Sequence, residues 1–401
     1  MEFLEHGPDG YTTFARFASP VQKALTKRGD VLQPRLQSIS AIDLSNRSHP
    51  EATEAPGSSI NANDQCEGES SAVDHSSSAP RPSAVVLGAS HWHAPLYRAG
   101  LARRFRVTAV QDPDPAVARA FAEPLGAPVA ASVDEALDQD GIDVAFVFCP
   151  HHEMLEVGRK LIGRGIPFVI EKPAGANLDD LRAIEEEARS AAVPATVALV
   201  QRGAPIDTWL RQVGDIVYER MAFVAGPPSR YRSNGNPWML EPGLSGGGSL
   251  MNLGPHFVDM AIRHLGHPVD VVQKLSTTLH GETVDDHATM ILTTGTGREA
   301  IVEVGYAFPD SPLKRYCSFT AAGSHGFATV DTNGDATFTD QSGVTKSAVL
   351  EVDSDPLYDV FVTGVADTLT TGFAGLPTLA ELVTTMELIW SPHPEGTARR
   401  G

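Results

Sequence analysis

The sequence predicts an α/β protein in which a parallel sheet covered by helices precedes a second domain built on an antiparallel sheet. From Ser83 to about Val200, short apolar runs alternate with helical stretches of about a dozen residues, which is typical of βαβ units. From about Ala204, Gly- and Pro-rich turns separate stretches of alternating polarity, as in antiparallel strands. A length of 401 residues suits two such domains.

Five runs in the first part are predicted to be strands, at 84–87, 107–110, 144–148, 167–170 and 196–200. Helices are expected between them, at about 95–104, 115–125, 152–164 and 178–191. Strands of a parallel sheet are buried on both faces, so their runs are continuously apolar.

In the second part, strands are predicted at 269–278, 287–293, 300–308 and 316–322. One helix is expected near 251–265 and a last one at about 379–389. Pro255 lies inside the first of these helices, so we expect a kink or a late start there, because proline lacks the amide hydrogen that continues the helix.

The ends of the chain differ from the rest. Between Glu51 and Pro82 the large aliphatic residues are Ile60 and Val73 alone, too few to offset the entropy of ordering. We therefore expect a disordered extension over 1–82, a dinucleotide-binding domain over 83–203, a substrate-binding and oligomerisation domain over 204–392, and a tail over 393–401.

Charge and composition exclude several classes of function. The net charge is −19, and no basic face for nucleic acid or an anionic membrane is visible. No apolar run approaches a membrane span. Cys66, Cys149 and Cys317 lie far apart, which argues against a disulfide scaffold. The first ten residues lack a secretory pattern, and we expect a cytoplasmic protein.

The turn after the first strand carries a partial dinucleotide signature. In G-x-G-x-x-G, bare backbone approaches a pyrophosphate at a helix N-terminus. Here the turn runs from Gly88 through Ser90, His91 and Trp92 to His93, so Ser90 and His93 replace two glycines. Asp112 ends the second strand, where a carboxylate accepts ribose hydroxyls and repels a 2′-phosphate. We predict a cofactor site that favours NAD over NADP, and no metal site; a tight turn with a capping Asp112 is the alternative.

The next strand ends also carry polar residues. Ligands of parallel sheets bind outside the carboxyl ends of the strands. The residues predicted at this edge are Cys149, Pro150, His151, Glu171, Lys172 and Pro173. Cys149 is also interpreted as a small buried apolar side chain, and the Lys172–Pro173 bond as a candidate cis peptide.

A glycine run precedes the best acid/base candidate. After Gly246, Gly247 and Gly248, Asn252 and His256 are spaced i and i+4 and share one helix face. Histidine titrates near neutrality when unperturbed, so His256 is the predicted general acid/base.

These motifs together resemble the glucose-fructose oxidoreductase/inositol dehydrogenase (Gfo/Idh/MocA) family. The resemblance covers about 84–392 and rests on Glu171-Lys172-Pro173, on the motif from Gly246 to Asp259, and on 323–326. It implies a Rossmann domain, an α/β domain with an open, mostly antiparallel sheet, bound NAD(H) or NADP(H), and a sugar, cyclitol or similar polyol as substrate. The family's lysine corresponds to Lys172, its catalytic histidine to His256, and its common carboxylate to Asn252.

The predicted reaction is hydride transfer at a secondary alcohol or ketone. Lys172 donates to the reacting oxygen, His256 removes the hydroxyl proton, and Asn252 orients the hydroxyl. Further predicted substrate contacts are Arg202, Arg230, Tyr231, Arg232 and Trp238.

Two alternatives remain open from the sequence. One is an enzyme that retains NAD through an internal redox cycle, giving isomerisation, elimination or glycoside cleavage. The other is a non-catalytic NAD-responsive regulator. In each case an open sheet face predicts a homodimer or homotetramer.

Overall fold

The computed structural model of the protein describes residues 80–311 and 313–391. Within that part of the chain lie fourteen strands and eleven α-helices, arranged as two sheets with helices packed against each. The disorder predicted for 1–82 and the tail at 393–401 fall outside the described residues, apart from 80–82.

The first sheet is parallel throughout, as predicted. Its strands are ordered β3-β2-β1-β4-β5-β6, and every neighbouring pair runs parallel. All five predicted strands are present, while β3, with two residues, was not predicted. The strands are β1 (Ser83–Leu87), β2 (Arg106–Gln111), β3 (Val129–Ala130), β4 (Val144–Val147), β5 (Phe168–Ile170) and β6 (Ala195–Val197).

Three of the five helices packed on this sheet begin at side-chain caps. Side chains of Asp114, Ser132 and Asn177 accept backbone N–H bonds at the starts of α2, α3 and α5, which satisfies donors that lack a partner within the helix. The helices are α1 (Ala94–Arg104), α2 (Pro115–Ala122), α3 (Val133–Leu137), α4 (Met154–Arg164) and α5 (Leu178–Ser190).

The second sheet has eight strands in the described residues, in the order β14-β13-β12-β11-β7-β10-β9-β8. Its pairs are antiparallel except for β7 and β10, which confirms a mostly antiparallel sheet. Four of the strands were not predicted, including β7 near the centre. The strands are β7 (Ile216–Ala225), β8 (Pro268–Ser276), β9 (His287–Thr294), β10 (Glu299–Gly305), β11 (Arg315–Gly323), β12 (Gly326–Val330), β13 (Asp335–Asp340) and β14 (Thr345–Val349).

One long helix, α9 (Ser249–Leu265), packs against β7, β9 and β10. It begins ahead of Pro255 and continues through it, so the expected late start is wrong. The burial of Leu250, Leu253 and Phe257 supplies the packing that holds the helix together across the proline. The shorter helices of this part are α6 (Pro205–Leu210), α7 (Ser229–Ser233) and α8 (Pro242–Ser245).

Two further helices return to the first sheet. The unpredicted α10 (Asp355–Thr368) packs against α1, and α11 (Leu379–Trp390) packs against α5 and α9. At Gly100 an added Cβ would lie 2.8 Å from Val362, so the approach of α10 to α1 requires glycine there. No helix in the described ranges is both long and apolar enough to span a membrane.

Candidate active site

A cavity of about 300 Å³ lies at the carboxyl edge of the first sheet and is closed by the second part of the chain. The first βα turn contributes Trp92 and His93, and the end of β5 contributes Lys172. Helix α9 contributes Asn252 and His256. The structure therefore brings the predicted lysine and histidine into one cavity, although they lie far apart in the sequence.

Lys172 is buried, with 2% of its surface exposed. Its Nζ donates to the backbone oxygen of Asn252 at 2.8 Å and to Asn252 Oδ1 at 2.7 Å. Burial, together with the nearby Arg230 charge, lowers the pKa of Lys172 to about 8, against an opposing effect of Glu171. An ammonium has three N–H donors, so one is left for a ligand. The Lys172–Pro173 peptide is cis, as proposed from the sequence.

Asn252 is fully buried and its amide is engaged by the protein. Its Nδ2 donates to the hydroxyl oxygens of Tyr231 at 2.6 Å and of Tyr306 at 3.1 Å. Both amide hydrogens are therefore used, and Oδ1 already accepts from Lys172. Asn252 thus contacts Lys172 through its amide oxygen and Tyr231 through its amide nitrogen.

His256 differs from the sequence-based expectation in its protonation. Burial and the neighbouring Lys172 charge lower its pKa to about 3, so the imidazole is neutral at physiological pH instead of titrating near neutrality. Its Nδ1 is buried and has no hydrogen-bond partner among the described residues. A neutral imidazole has one donor and one acceptor nitrogen, and the ring lines the cavity, so it can bind a hydroxyl group.

A buried network lies behind the lysine. Glu171 Oε1 accepts from the Tyr97 hydroxyl at 2.5 Å, and its Oε2 lies 3.1 Å from His93 Nδ1. The Tyr358 hydroxyl lies 3.0 Å from His93 Nε2. Burial lowers the pKa of His93 well below its ordinary value. Tyr97 and Tyr358 were missed by the sequence analysis, since neither lies in a motif.

The turn from Gly88 to His93 has the close packing expected of a dinucleotide-binding turn. Gly88 has φ +82°, and a Cβ there would lie 2.6 Å from the backbone nitrogen of Cys149, so the position requires glycine. His91 Nε2 and Trp92 Nε1 are buried with no partner in the described part. Unpaired buried donors or acceptors call for a polar ligand, and these residues fit a dinucleotide.

Asp112 lies at the predicted place but is occupied by backbone groups. Its Oδ2 accepts from the Ser90 amide at 2.6 Å and its Oδ1 from the Asp114 amide at 2.9 Å. Each carboxylate oxygen can accept more than one hydrogen bond, so ribose binding is compatible with these two backbone bonds. The helix-capping role considered for Asp112 belongs instead to Asp114, whose side chain accepts from the Ala116 amide at the start of α2.

An aromatic cluster covers this turn. The Trp238 ring lies 4.7 Å from that of His151 and 5.9 Å from that of His91. His151 Nδ1 lies 2.7 Å from the backbone oxygen of Ser245, and burial lowers its pKa to about 3. Trp238 thus lies at the turn from Gly88 to His93 and is not among the residues lining the cavity.

The residues between β4 and α4 have structural contacts. Burial raises the pKa of the Cys149 thiol to about 12, which agrees with its interpretation as a small buried side chain. Pro150 precedes a helical turn in which its carbonyl accepts from the Glu153 amide at 2.9 Å.

Arg202 is not brought to the cavity. Its guanidinium pairs with Asp259 through bonds of 2.8 and 2.5 Å and lies 2.9 Å from Glu381. These contacts join the segment after β6 to α9 and α11. Its neighbour Gln201 lines the cavity instead, and Arg232 pairs with Glu282 at 2.5 Å outside it.

The glycine run before α9 accommodates protein. A Cβ at Gly248 would collide with the backbone oxygen of Asp285. The Asp285 carboxylate accepts from the Gly248 amide at 2.8 Å, the Ser249 hydroxyl at 2.7 Å and the Leu250 amide at 2.9 Å. Asp285 therefore caps α9 and fixes where Asn252 and His256 lie. No motif in the sequence predicts this role.

The described residues contain no group of three or more His, Cys, Asp or Glu arranged to hold a metal ion. In the turn after β1, His91 Nδ1 accepts from the His93 amide at 3.1 Å.

Two curated relatives match part of the chain. A provisionally named UDP-kanosamine synthase oxidoreductase subunit from Amycolatopsis mediterranei is 30% identical over 181 residues, 43% of this chain and 48% of that protein. D-xylose 1-dehydrogenase (NADP(+)) 2 from Haloferax volcanii is 26% identical over 219 residues, 53% of this chain and 66% of that protein. The chain thus spans about half to two thirds of the length of these relatives.

The fold is shared with solved structures. An inositol dehydrogenase homolog from Azotobacter vinelandii, complexed with NAD+, aligns with a TM-score of 0.67 at 18% identity, covering 78% of this chain and 94% of that one. A family model described as "Oxidoreductase family, NAD-binding Rossmann fold" matches residues 83–199, and one for the GFO/IDH/MocA C-terminal domain matches 211–346. With both models on one chain, in the order of its two sheets, the protein belongs to the Gfo/Idh/MocA family of oxidoreductases.

Proposed function

We propose that the protein is an NAD(P)-dependent dehydrogenase that moves a hydride between nicotinamide and a secondary alcohol or ketone of a sugar, cyclitol or related polyol. The observation that supports this best is the shared cavity of Lys172 and His256 at the carboxyl edge of the first sheet. The names of the relatives and structural neighbours, which concern xylose, a UDP-linked amino sugar and inositol, support the substrate class.

Lys172 is the proposed proton donor and acceptor. A pKa of about 8 leaves it partly neutral near physiological pH, where one group can act in either direction of the reaction. The protonated form donates to the reacting oxygen and stabilises alkoxide character in a water-poor cavity. The nicotinamide, when bound, accepts or supplies the hydride.

His256 and Asn252 have separate proposed roles. The neutral His256 ring accepts a hydrogen bond from the substrate hydroxyl and so orients the carbinol carbon. Asn252 acts through Lys172, because its amide atoms are held by Lys172, Tyr231 and Tyr306. We propose that Asn252 positions the Lys172 ammonium and does not itself contact the substrate.

The choice between NAD and NADP rests on Asp112. A carboxylate at the end of β2 favours NAD, since it would repel a 2′-phosphate. To bind ribose, Asp112 must accept further hydrogen bonds while it keeps its two bonds from backbone amides. A lower KM for NAD than for NADP is the expected result.

Turnover with purified full-length protein tests the proposal. Reduced nicotinamide is measured with NAD and NADP across sugars, cyclitols, amino sugars and their oxidised forms. Lys172→Met and His256→Gln should each lower kcat by about 10²-fold or more. Lys160→Met removes a lysine from a surface ion pair with Asp134 and should leave kcat unchanged.

The outcomes separate the alternatives. If Lys172→Met or His256→Gln retains wild-type turnover, the assigned chemistry is wrong. Substrate conversion without net nicotinamide reduction would indicate an internal redox cycle. Dinucleotide binding without conversion of any member of the panel would indicate a regulator.

A further inference from the structure

The cavity is rich in cations although the whole chain is acidic, with a net charge of −19. Its four cationic side chains are Lys172, Arg230, Lys314 and Arg315. Desolvated cations are costly unless they are paired. A cation that the protein leaves unpaired is therefore the place where a ligand's negative charge is expected.

Two of the four are paired by carboxylates. Lys314 Nζ lies 3.3 Å from Asp353 and 3.2 Å from Asp355, and Arg315 Nη2 lies 2.6 Å from Asp353. The third cation, Lys172, is bonded to neutral oxygens of Asn252. Its sequence neighbour Glu171 offsets part of its charge.

Arg230 has no carboxylate within ion-pair distance in the described residues. Its guanidinium carbon lies 5.0, 5.4 and 5.9 Å from the ring centroids of Tyr231, Tyr306 and Trp92. Its Nη2 donates to the Tyr231 hydroxyl at 3.0 Å, and its buried Nε has no partner there. A guanidinium has five N–H donors in a fixed fork, so most remain for a ligand.

A second cavity, of about 490 Å³, adjoins the first. Arg230 and Lys314 line both cavities and so form a common wall. Besides these two cations, the second cavity is lined by one carboxylate, Asp310, and by neutral residues such as Ser229 and Asn234. Another lining residue, Ser311, has a buried hydroxyl without a partner in the described chain. Both volumes lie in the range of ligand sites, about 300–1,000 Å³.

We propose that the substrate is an anionic sugar or cyclitol whose phosphate or carboxylate is bound by the unpaired Arg230, with Lys314 beside it on the wall that the two cavities share. The reacting ring then faces Lys172 and His256 in the first cavity, and any group attached beyond the anion occupies the second. Phosphate and carboxylate share the chemistry that a guanidinium binds, through charge-assisted and bidentate hydrogen bonds. This inference rests on the proposed dehydrogenase function only for the placement of the ring.

Binding to the full-length protein, measured by titration calorimetry, tests the proposal without any need for turnover. The probes are D-glucose, D-glucuronate, glucose 1-phosphate and UDP-glucose, which present no anion, a carboxylate, a phosphate and a substituted diphosphate. At least one anionic probe should bind the wild type about tenfold or more tightly than D-glucose. Which one does so identifies the anion and shows whether the second cavity is filled.

Three variants locate the anion site. Arg230→Met should weaken the preferred anionic probe about tenfold or more, and Lys314→Met about threefold, with D-glucose and NAD binding unchanged. Arg159→Met is the matched control, because Arg159 is exposed and paired with Glu187 outside both cavities. It should bind the same probe as the wild type does.

The proposal is overturned if no anionic probe binds more tightly than D-glucose. It is also overturned if Arg230→Met and Lys314→Met bind the preferred probe as the wild type does, or if Arg230→Met weakens NAD instead. Should Arg230→Met fail to fold, the exposed Lys314→Met decides alone. Anion binding without turnover would contradict the dehydrogenase proposal and leave the anion site intact.

Discussion

At the scale of single residues, the amide of Asn252 connects the lysine to two buried tyrosines. Its oxygen accepts from Lys172, and its nitrogen donates to Tyr231 and Tyr306. A neutral partner stabilises the ammonium less than a carboxylate would. Burial therefore dominates, and the pKa of Lys172 falls to about 8.

The first prediction concerns the pH dependence of turnover. Alcohol oxidation requires a neutral Lys172 as acceptor, so kcat/KM for oxidation should rise as pH increases through about 8. Ketone reduction requires the protonated amine, so kcat/KM for reduction should fall over the same pH interval. Initial rates from pH 6 to 10 measure both directions. An inflection near 6.5 would instead indicate a histidine of ordinary pKa.

The second prediction changes the partner of the lysine. Asn252→Asp places a carboxylate against Nζ, which favours the ammonium and should move the inflection for oxidation to higher pH by about one unit or more. Asn333→Asp adds the same charge at an exposed turn and should leave the inflection near 8. An unchanged profile in Asn252→Asp would contradict the positioning role of Asn252.

At the scale of elements, α9 determines the site because it carries both Asn252 and His256. Its first turn is capped by Asp285 from the segment before β9. Toward its other end, His264 lies between two carboxylates, with Nε2 2.8 Å from Asp207 and Nδ1 2.8 Å from Glu219. The helix is therefore held to the second sheet at both ends.

The third prediction tests the start of α9. Gly248→Ala should lower the free energy of unfolding by about 2–4 kcal/mol, because the new Cβ collides with Asp285 and disrupts the cap. Gly243→Ala is the matched control. Gly243 is exposed with no atom within 4 Å of its Cβ position, so alanine there should be neutral or slightly stabilising. Denaturant titration compares the two; equal stabilities would contradict the steric argument.

The fourth prediction tests the far end of α9. Burial by itself lowers the pKa of His264. Its bonds to Asp207 and Glu219 outweigh this effect and raise the pKa to about 9. The pKa of His264 is therefore higher in the folded state, about 9, than in the unfolded state, 6.5. The protonated histidine stabilises the fold fully below pH 6.5, and this stabilisation is lost as pH rises through about 9. The unfolding free energy should fall by at most about 3 kcal/mol between pH 6 and 10.

His264→Gln is the control for that measurement, since glutamine does not titrate. Its unfolding free energy should be lower than that of the wild type at pH 6, with a smaller dependence on pH up to 10. If the two proteins show parallel pH dependence, other groups are responsible for the loss of stability.

At the scale of the whole molecule, the second sheet has one face under α9 and an opposite face that is only half-buried. On that face Val272 pairs with Ile291, and Ile291 with Ile301, across three neighbouring strands. These three side chains form an apolar row that is not fully covered within the described chain. Apolar rows of this kind favour association between copies.

The fifth prediction is therefore a homodimer or homotetramer through this face. Light scattering at micromolar concentration should give a multiple of the 42.7 kDa chain mass. Ile301→Lys should shift the mass toward the monomer, because it places a charge in the contact. Val349→Lys, on the exposed edge strand β14, should not. A monomeric wild type would contradict the prediction.

The sequence alone predicted the parallel sheet and singled out Lys172 and His256, which the structure brings into one cavity. Continuous apolar strands such as 144–147 are typical of a sheet covered on both faces, and a motif such as Glu171-Lys172-Pro173 is local. It did not predict β7 or α10, whose conformations depend on packing: β7 lies between β10 and β11, and α10 lies against α1. The polarity pattern of a short segment does not show which distant strand or helix it will pack against.

Only the tertiary structure decided which side chains meet and in what state. The pKa of His256, the neutral partner of Lys172 and the diversion of Arg202 to Asp259 all depend on burial and on residues distant in sequence. Arg230 is the converse case, because the fold surrounds it with rings and leaves it without a carboxylate among the described residues. Residue types fix which charges a chain carries, whereas desolvation and pairing, which set their free energy, exist only once the chain has folded.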